Sequence, residues 1–164
     1  GETEQDRAVR AACAAAPSGI LIGGQERGID PRQLFAVYGP EWYDLETAGA
    51  ASWRWTASPG RLFIFAPQRQ AVTLTSTPIA LYDQQAANGF GERGTMRVSA
   101  AGGPIAELPV QTGQPFTVAL DLQPGWNAIS LELLAGNVRP VDLDPATGDV
   151  RLLSFALGPV DVQE

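Results

Sequence analysis

The sequence predicts an all-β fold, an antiparallel two-sheet β-sandwich of jelly-roll-like type with a short N-terminal helix. Three observations carry this. From Trp53 onward, short apolar runs are separated by stretches rich in Gly, Pro, Asn and Asp, the composition of strands and turns. Within several runs apolar and polar residues alternate as a half-buried strand requires. No helical pattern intervenes between them, which argues against a parallel α/β sheet and for two packed antiparallel sheets.

Taken in order, "TEQDRAVRAACAAA" (3–16) reads as a helix, with Thr3 as its cap, acids in its first turn and Pro17-Ser18-Gly19 as its stop. Short β-prone runs follow, "ILIGG" (20–24) and "LFAVYG" (34–39), separated by turn-rich "QERGIDPRQ". The β region comprises "SWRWTA", "RLFIFA", "AVTLTSTPIALY", "GTMRVSA", "IAELPV", "PFTVALDL", "WNAISLELL" and "RLLSFALGPVDV". Phe116, Val118, Leu120 and Leu122 share one face, with Thr117, Ala119 and Asp121 on the other. Ile129, Leu131 and Leu133 repeat the pattern, as do Leu153, Phe155 and Leu157. The division that results is 1–33 as helix, linker and first strand segment, and 34–164 as the sandwich. Two long loops, 83–94 and 135–149, stand where a sandwich carries binding.

With 164 residues, 45% hydrophobic and 18% charged, the chain has the material of one globular domain. Its net charge of −7 without a basic cluster disfavours nucleic acid. All eleven basic residues are arginine, spread evenly. Histidine is absent, which removes imidazole bases, Ser-His-Asp and Cys-His pairs, and histidine metal ligands. The single cysteine, Cys13, forms no internal disulfide and reads as a small buried thiol on the first helix. No apolar run reaches the roughly 18 residues of a membrane span. The opening "GETEQDR" carries neither a methionine nor a signal-peptide pattern, so its first residue is expected to be a processing boundary, the chain a piece of something larger.

Three of the four tryptophans lie in "EWYDLETAGAASWRWTASPG" (41–60). Trp53 and Trp55 are two apart, so both point to one face and Arg54 to the other. Facing inward, the indoles fill the space between the sheets. Facing outward, they form a platform on which a sugar ring stacks its C–H face, with Trp42 or Tyr43 as a second ring. Glu46 and Arg54 are expected to pair across neighbouring strands, fixing register or clamping ligand hydroxyls. Asp142, Asp144 and Asp149 in "VDLDPATGD" invite a calcium reading, although the spacing is not that of an EF-hand and "DPATGD" is a good turn by itself. No cofactor is otherwise implied. For catalysis only paired carboxylates remain, among Glu41, Asp44 and Glu46, a weak signal in a loop.

The segment "YGPEWYDLETAGAASWRWTASPGRLFIFAP" (38–67), followed by "LQPGWNAISLEL" and "RLLSFALGPVDV", resembles a recurrent bacterial β-sandwich domain. That domain sits at the extracytoplasmic C-terminal end of polytopic membrane glycosyltransferase-like proteins of the mannosyltransferase (GT-C) type. The likeness runs over about 39–162, through Gly39, Trp42, Tyr43 and Glu46, the Arg54-Trp55 partner, the Pro124-Gly125-Asn127 turn, and the closing Arg151 with Leu153 to Leu157. "YGPEWY" carries one residue more than the family's "GWY", and "AAGGP" stands where Asn-Gly is usual. The resemblance implies an accessory, carbohydrate-binding-like module outside the membrane with no catalytic residue, and it joins Trp42, Tyr43, Glu46, Arg54 and Trp55 into one constellation.

The reading that follows is a non-catalytic, extracytoplasmic carbohydrate-binding-like module held at or near the cell surface, with a glycan or a neighbouring membrane-protein domain as partner. The alternative is a structural or assembly module, a subunit of a surface layer, filament or membrane complex. It would form a homo-oligomer by strand addition at the unprotected apolar strand "LFIFA" (62–66).

Overall fold

The computed structural model describes residues 2–4, 6, 7, 10 and 19–164. The strands are β1 (Leu21–Ile22), β2 (Gln25–Glu26), β3 (Phe35–Tyr38), β4 (Glu46–Ala48) and β5 (Ala51–Thr56). They continue with β6 (Gly60–Ala66), β7 (Gln70–Ser76), β8 (Pro78–Tyr82), β9 (Phe90–Gly91) and β10 (Arg93–Ala100). Last come β11 (Gly103–Gln111), β12 (Phe116–Leu122), β13 (Gly125–Leu133), β14 (Phe155–Leu157) and β15 (Asp161–Gln163). The alternations expected from sequence set the faces: Phe116, Val118, Leu120 and Leu122 of β12 are buried, and Thr117, Ala119 and Asp121 are exposed. In β13, Ile129, Leu131 and Leu133 point to the core in the same way.

Among the described residues, hydrogen bonding gives three five-stranded sheets, ordered β12-β7-β15-β1-β2, β11-β10-β13-β6-β3 and β4-β5-β14-β8-β9. The first and third are halves of one bent layer. Only Thr77 separates β7 from β8, and residues 158–160 separate β14 from β15. β7 pairs with β15 in one half and β8 with β14 in the other. Across the bend Gly158 N donates to Thr77 O at 2.9 Å, so the pairing is not interrupted. The sequence run 71–82, which reads as one strand, therefore serves both halves; Pro78 cannot donate to a ladder and stands where the strand turns. The second sheet closes the sandwich, and the core gathers Leu74, Leu81, Phe155 and Val162 with Leu62, Ile64, Met96 and Leu131.

Three expectations change. First, among the described residues one pairing is parallel rather than antiparallel: β1 runs beside β15, with Leu21 opposite Asp161 and Ile22 opposite Val162. No hairpin joins these two strands, so no tight turn dictates their direction. Ile20 and Ile22 thereby enter the core. Second, "LFIFA" is not an edge. It lies in β6, between β13 and β3, and Leu62, Phe63, Ile64 and Ala66 are fully buried. Its near-continuous apolar run reflects burial on both faces. Third, a helix stands near the C-terminus where none was expected; the N-terminal helix expected at 3–16, with Cys13, falls largely outside the described residues, of which Glu4, Asp6, Arg7 and Arg10 are helical. The helix near the C-terminus is α1 (Pro140–Leu143), followed by a 3-10 turn at Pro145–Thr147. At the chain start Asp6 N donates to Thr3 Oγ1 and Thr3 N to Asp6 Oδ2, each at 3.0 Å. Among the described residues no helix is long and apolar enough to cross a membrane.

Two quoted motifs have local structural reasons. Asn127 pins the Pro124-Gly125 turn: its Oδ1 accepts Gln123 N at 2.9 Å and its Nδ2 donates to Gln123 O at 2.9 Å. Gly39 is required by close approach, since a Cβ there would stand 2.8 Å from Arg61 O and 2.5 Å from Glu41 Oε2.

Candidate functional site

The hairpin β4–β5 decides where each singled-out side chain points. Its register sets Glu46 opposite Trp53 and Ala48 opposite Ala51, and on the other flank β14 sets Phe155 opposite Thr56 and Leu157 opposite Arg54. Directly opposed residues share a face. Phe155, Leu157 and Thr56 are buried, so Arg54 and Thr56 lie on the core side. Trp53 and Trp55, together with Glu46, lie on the outer side.

The expected five-residue unit is thus divided between two faces. On the inner side, Trp42 is 9% exposed and donates from Nε1 to Arg61 O at 2.9 Å. Its ring stands edge-on to Phe155 at 5.9 Å and 5.0 Å from Tyr38. Arg54 lays its guanidinium 4.8 Å over the same Tyr38 ring and donates from Nη1 to Tyr43 O at 3.2 Å. Burial pushes the Tyr38 phenol up to about 12, partly opposed by Arg54 and assisted by Glu26. Trp42 is therefore a core residue. Arg54, Tyr38, Glu26, Trp53 and Leu45 border a cleft of about 210 Å³ at the edge of the hairpin.

On the outer side, Tyr43, Glu46 and Trp55 come together with residues that sequence reasoning missed. Tyr43 N donates to Trp55 O at 2.9 Å, and its hydroxyl both donates to Leu152 O and accepts from Leu152 N at 3.1 Å. This pair of hydrogen bonds to the Leu152 backbone accompanies the placement of Arg151 over the Tyr43 ring at 5.3 Å. Arg151 then bridges Glu46, at 3.4 Å, and Asp149, at 2.9 Å. The expected Glu46–Arg54 pair does not form, because register puts those two side chains on opposite faces. Hydrogen bonds from Arg151 hold the Asp149 carboxyl below the usual carboxylate range, and the same contact raises the arginine. Sequence did offer a signal, since "GDVR" brings an acid and an arginine to alternate positions of an extended segment.

Trp55 of β5 and Phe90 of β9 are separated by β14 and β8, yet their rings meet at 5.3 Å in an edge-on contact. Between them the sheet carries only small side chains, Ala156 opposite Ala80, so the rings lean across it and Ala156 is fully buried beneath. Tyr82 extends the row at 6.3 Å from Phe90. Trp53, Trp55, Tyr82 and Phe90 are each half-buried. The two long loops converge here. Gln84 Nε2 donates to Ala135 O at 3.3 Å, and a Cβ on Gly89 (φ +84°) would collide with Leu143 Cδ1. Phe90, within the first of those loops, escaped notice because a single aromatic among polar residues has no periodic signature.

Two of the three aspartates proposed for calcium are engaged elsewhere. Asp144 Oδ1 accepts Ala146 N at 3.0 Å, capping the 3-10 turn. Asp149 is bound to Arg151, and Asp142 lies within α1. Among the described residues no group of three His, Cys, Asp or Glu is placed to hold a metal ion.

The outer face thus offers half-buried ring surface beside acceptor and donor groups in fixed positions, which suits a ligand with both C–H faces and hydroxyls. No protein-family model matches this chain, and no curated protein matches it. Solved structures similar to it include a family 35 carbohydrate-binding module from Clostridium thermocellum, 11% identical over 77% of this chain and 90% of that one, with a TM-score of 0.43. A family 35 module from Cellvibrio japonicus is 14% identical over 80% and 99% of the two chains, with a TM-score of 0.41. A module of the Cellvibrio mixtus lichenase 5A, solved with cellotriose, is 6% identical over 76% and 88%, also at 0.41.

Proposed function

We propose that this chain is a non-catalytic carbohydrate-binding module whose ligand lies on the outer face of the β4-β5-β14-β8-β9 sheet. The observation that carries the proposal is the outward placement of Trp53 and Trp55 beside Glu46 and Arg151. Sugar rings stack C–H faces on indoles, and their hydroxyls bond to the carboxylates and guanidinium at the platform's rim. The same face supports a non-catalytic role. Glycoside hydrolysis needs one carboxylic acid kept protonated near neutrality. Here Glu46 and Asp149 flank a bound arginine, and Asp149 is held ionised by it.

The motif resemblance extends the reading: an extracytoplasmic accessory domain serving glycan handling by a membrane glycosyltransferase-like protein. Protease accessibility on intact cells expressing the chain in its native context tests that placement. The binding itself is tested by glycan-array screening followed by calorimetric titration of the best oligosaccharide. Trp55→Ala and Trp53→Ala are each expected to weaken binding at least about tenfold, or about 1.4 kcal/mol, with the fold intact. A glycan affinity unchanged in the double variant would remove this face from the proposal, and an array without any hit would remove the glycan.

A further inference from the structure

Among the described residues six strands pair on one side only: β2, β3, β4, β9, β11 and β12. The first four are two to four residues long. β11 has nine residues but carries Pro104 and Pro109, a Glu107 tied to Arg97, and a register irregularity against β10 between Val98 and Ser99. Prolines, charges and bulges are the devices by which an edge refuses another strand. β12 has almost none of them. Its seven residues keep unbroken register with β7, from Phe116 opposite Ser76 to Leu122 opposite Gln70, without a proline and with one charge, Asp121. At about 3.3 Å per residue this is an open edge of roughly 23 Å.

We propose that β12 pairs antiparallel with β12 of a second copy of this chain, about a two-fold axis through Ala119. That register engages all seven residues and is self-complementary. Ala119 faces its own copy, and Thr117 faces Asp121 twice, a hydroxyl against a carboxylate. Phe116 faces Leu122 and Val118 faces Leu120 on the core side. A slip of one residue sets core-side against solvent-side positions. Thr117 is already bonded to Thr75 at 3.0 Å with either hydroxyl able to donate, so it can accept there and donate to Asp121 of the second copy. Asp121 arrives with its charge balanced by Arg69 at 2.8 Å. The self-complementarity selects a second copy over an unrelated extended peptide. Each copy carries a net charge of −7, so association strengthens as salt screens the repulsion.

Sedimentation velocity of the full chain, from roughly 1 μM to 1 mM protein, tests this. A concentration-dependent dimer is expected, tighter at high salt. Ala119 is exposed and touches no part of the glycan site. Ala119→Lys and Ala119→Glu set like-charged side chains directly opposite each other at the axis, with Cβ atoms about 5 Å apart, and each is expected to weaken the dimer at least about tenfold. An equimolar mixture of the two variants restores it by pairing ammonium with carboxylate. Melting curves at low protein concentration confirm that both variants fold. A monomer at every concentration, a dimer indifferent to both substitutions, or a mixture that fails to re-associate each overturns the proposal; none of these outcomes bears on glycan binding.

Discussion

Replacing Trp42 by Phe separates the inner from the outer half of the tryptophan cluster. Two losses add. The indole N–H to Arg61 O bond is removed, for a net cost of about 1 kcal/mol. The acceptor is not orphaned, because Gly39 N also donates to it at 2.8 Å, which keeps that cost at the ordinary value. The smaller ring gives up part of the contact with Tyr38 and Phe155; since full truncation of a buried Trp costs about 3–5 kcal/mol, the partial loss is about 1–2. The sum is about 2–3 kcal/mol. At roughly 2–4 °C per kcal/mol for a chain of this size, the Tm should fall by about 4–12 °C. The assay is thermal and urea unfolding with matched m-values, run beside glycan titration. Trp55→Phe, on the outer face, should move the Tm by far less and affinity by more. A Trp42→Phe protein that melts with the wild type but no longer binds glycan would refute the division into two faces.

Other outcomes follow from the same geometry. Tyr43→Phe removes a hydroxyl that serves both the N–H and the C=O of Leu152, and should cost about 1–2 kcal/mol in chemical unfolding while loosening Arg151. Spectroscopic titration at alkaline pH should show a phenol ionising at about 12 that disappears in Tyr38→Phe. Because that acid's value is raised in the folded state, stability is undiminished below the unfolded phenol's value of about 10 and declines as pH rises from there to 12. Asp149 has the opposite sign. Its lowered value contributes stability that is full above about pH 4 and is lost as pH falls through it, so Arg151→Met should flatten the acid limb of the stability profile.

Much of the fold was legible because the solvent side of most strands is polar. The alternation in 116–122 and 129–133 assigned faces correctly, and most strands are separated by a segment containing Gly or Pro. Strands buried on both faces hid their position. "LFIFA" resembled an exposed apolar edge only because periodicity carries no information once both sides are dry. The continuous stretch 71–82 gave no hint that it passes from one half-sheet to the other, since the bend at Thr77 leaves the apolar pattern of the run intact. At the candidate site, parity did establish that Trp53 and Trp55 oppose Arg54. Which side was inward depended on β14, a strand about a hundred residues away. The Glu46–Arg54 expectation failed for the same reason: nearness in sequence ignores register, and the true cation, Arg151, is 105 residues distant.

The strands shared across the bent layer have a consequence for recognition. Since β7 continues into β8 and β14 into β15, the aromatic half-sheet cannot open unless the other half gives way too. Its amides should therefore exchange with deuterium in step with those of the distant half. In the proposed role, a ligand meeting Trp53 and Trp55 would find a surface whose order was established when the chain folded, and association would spend no entropy arranging the receptor.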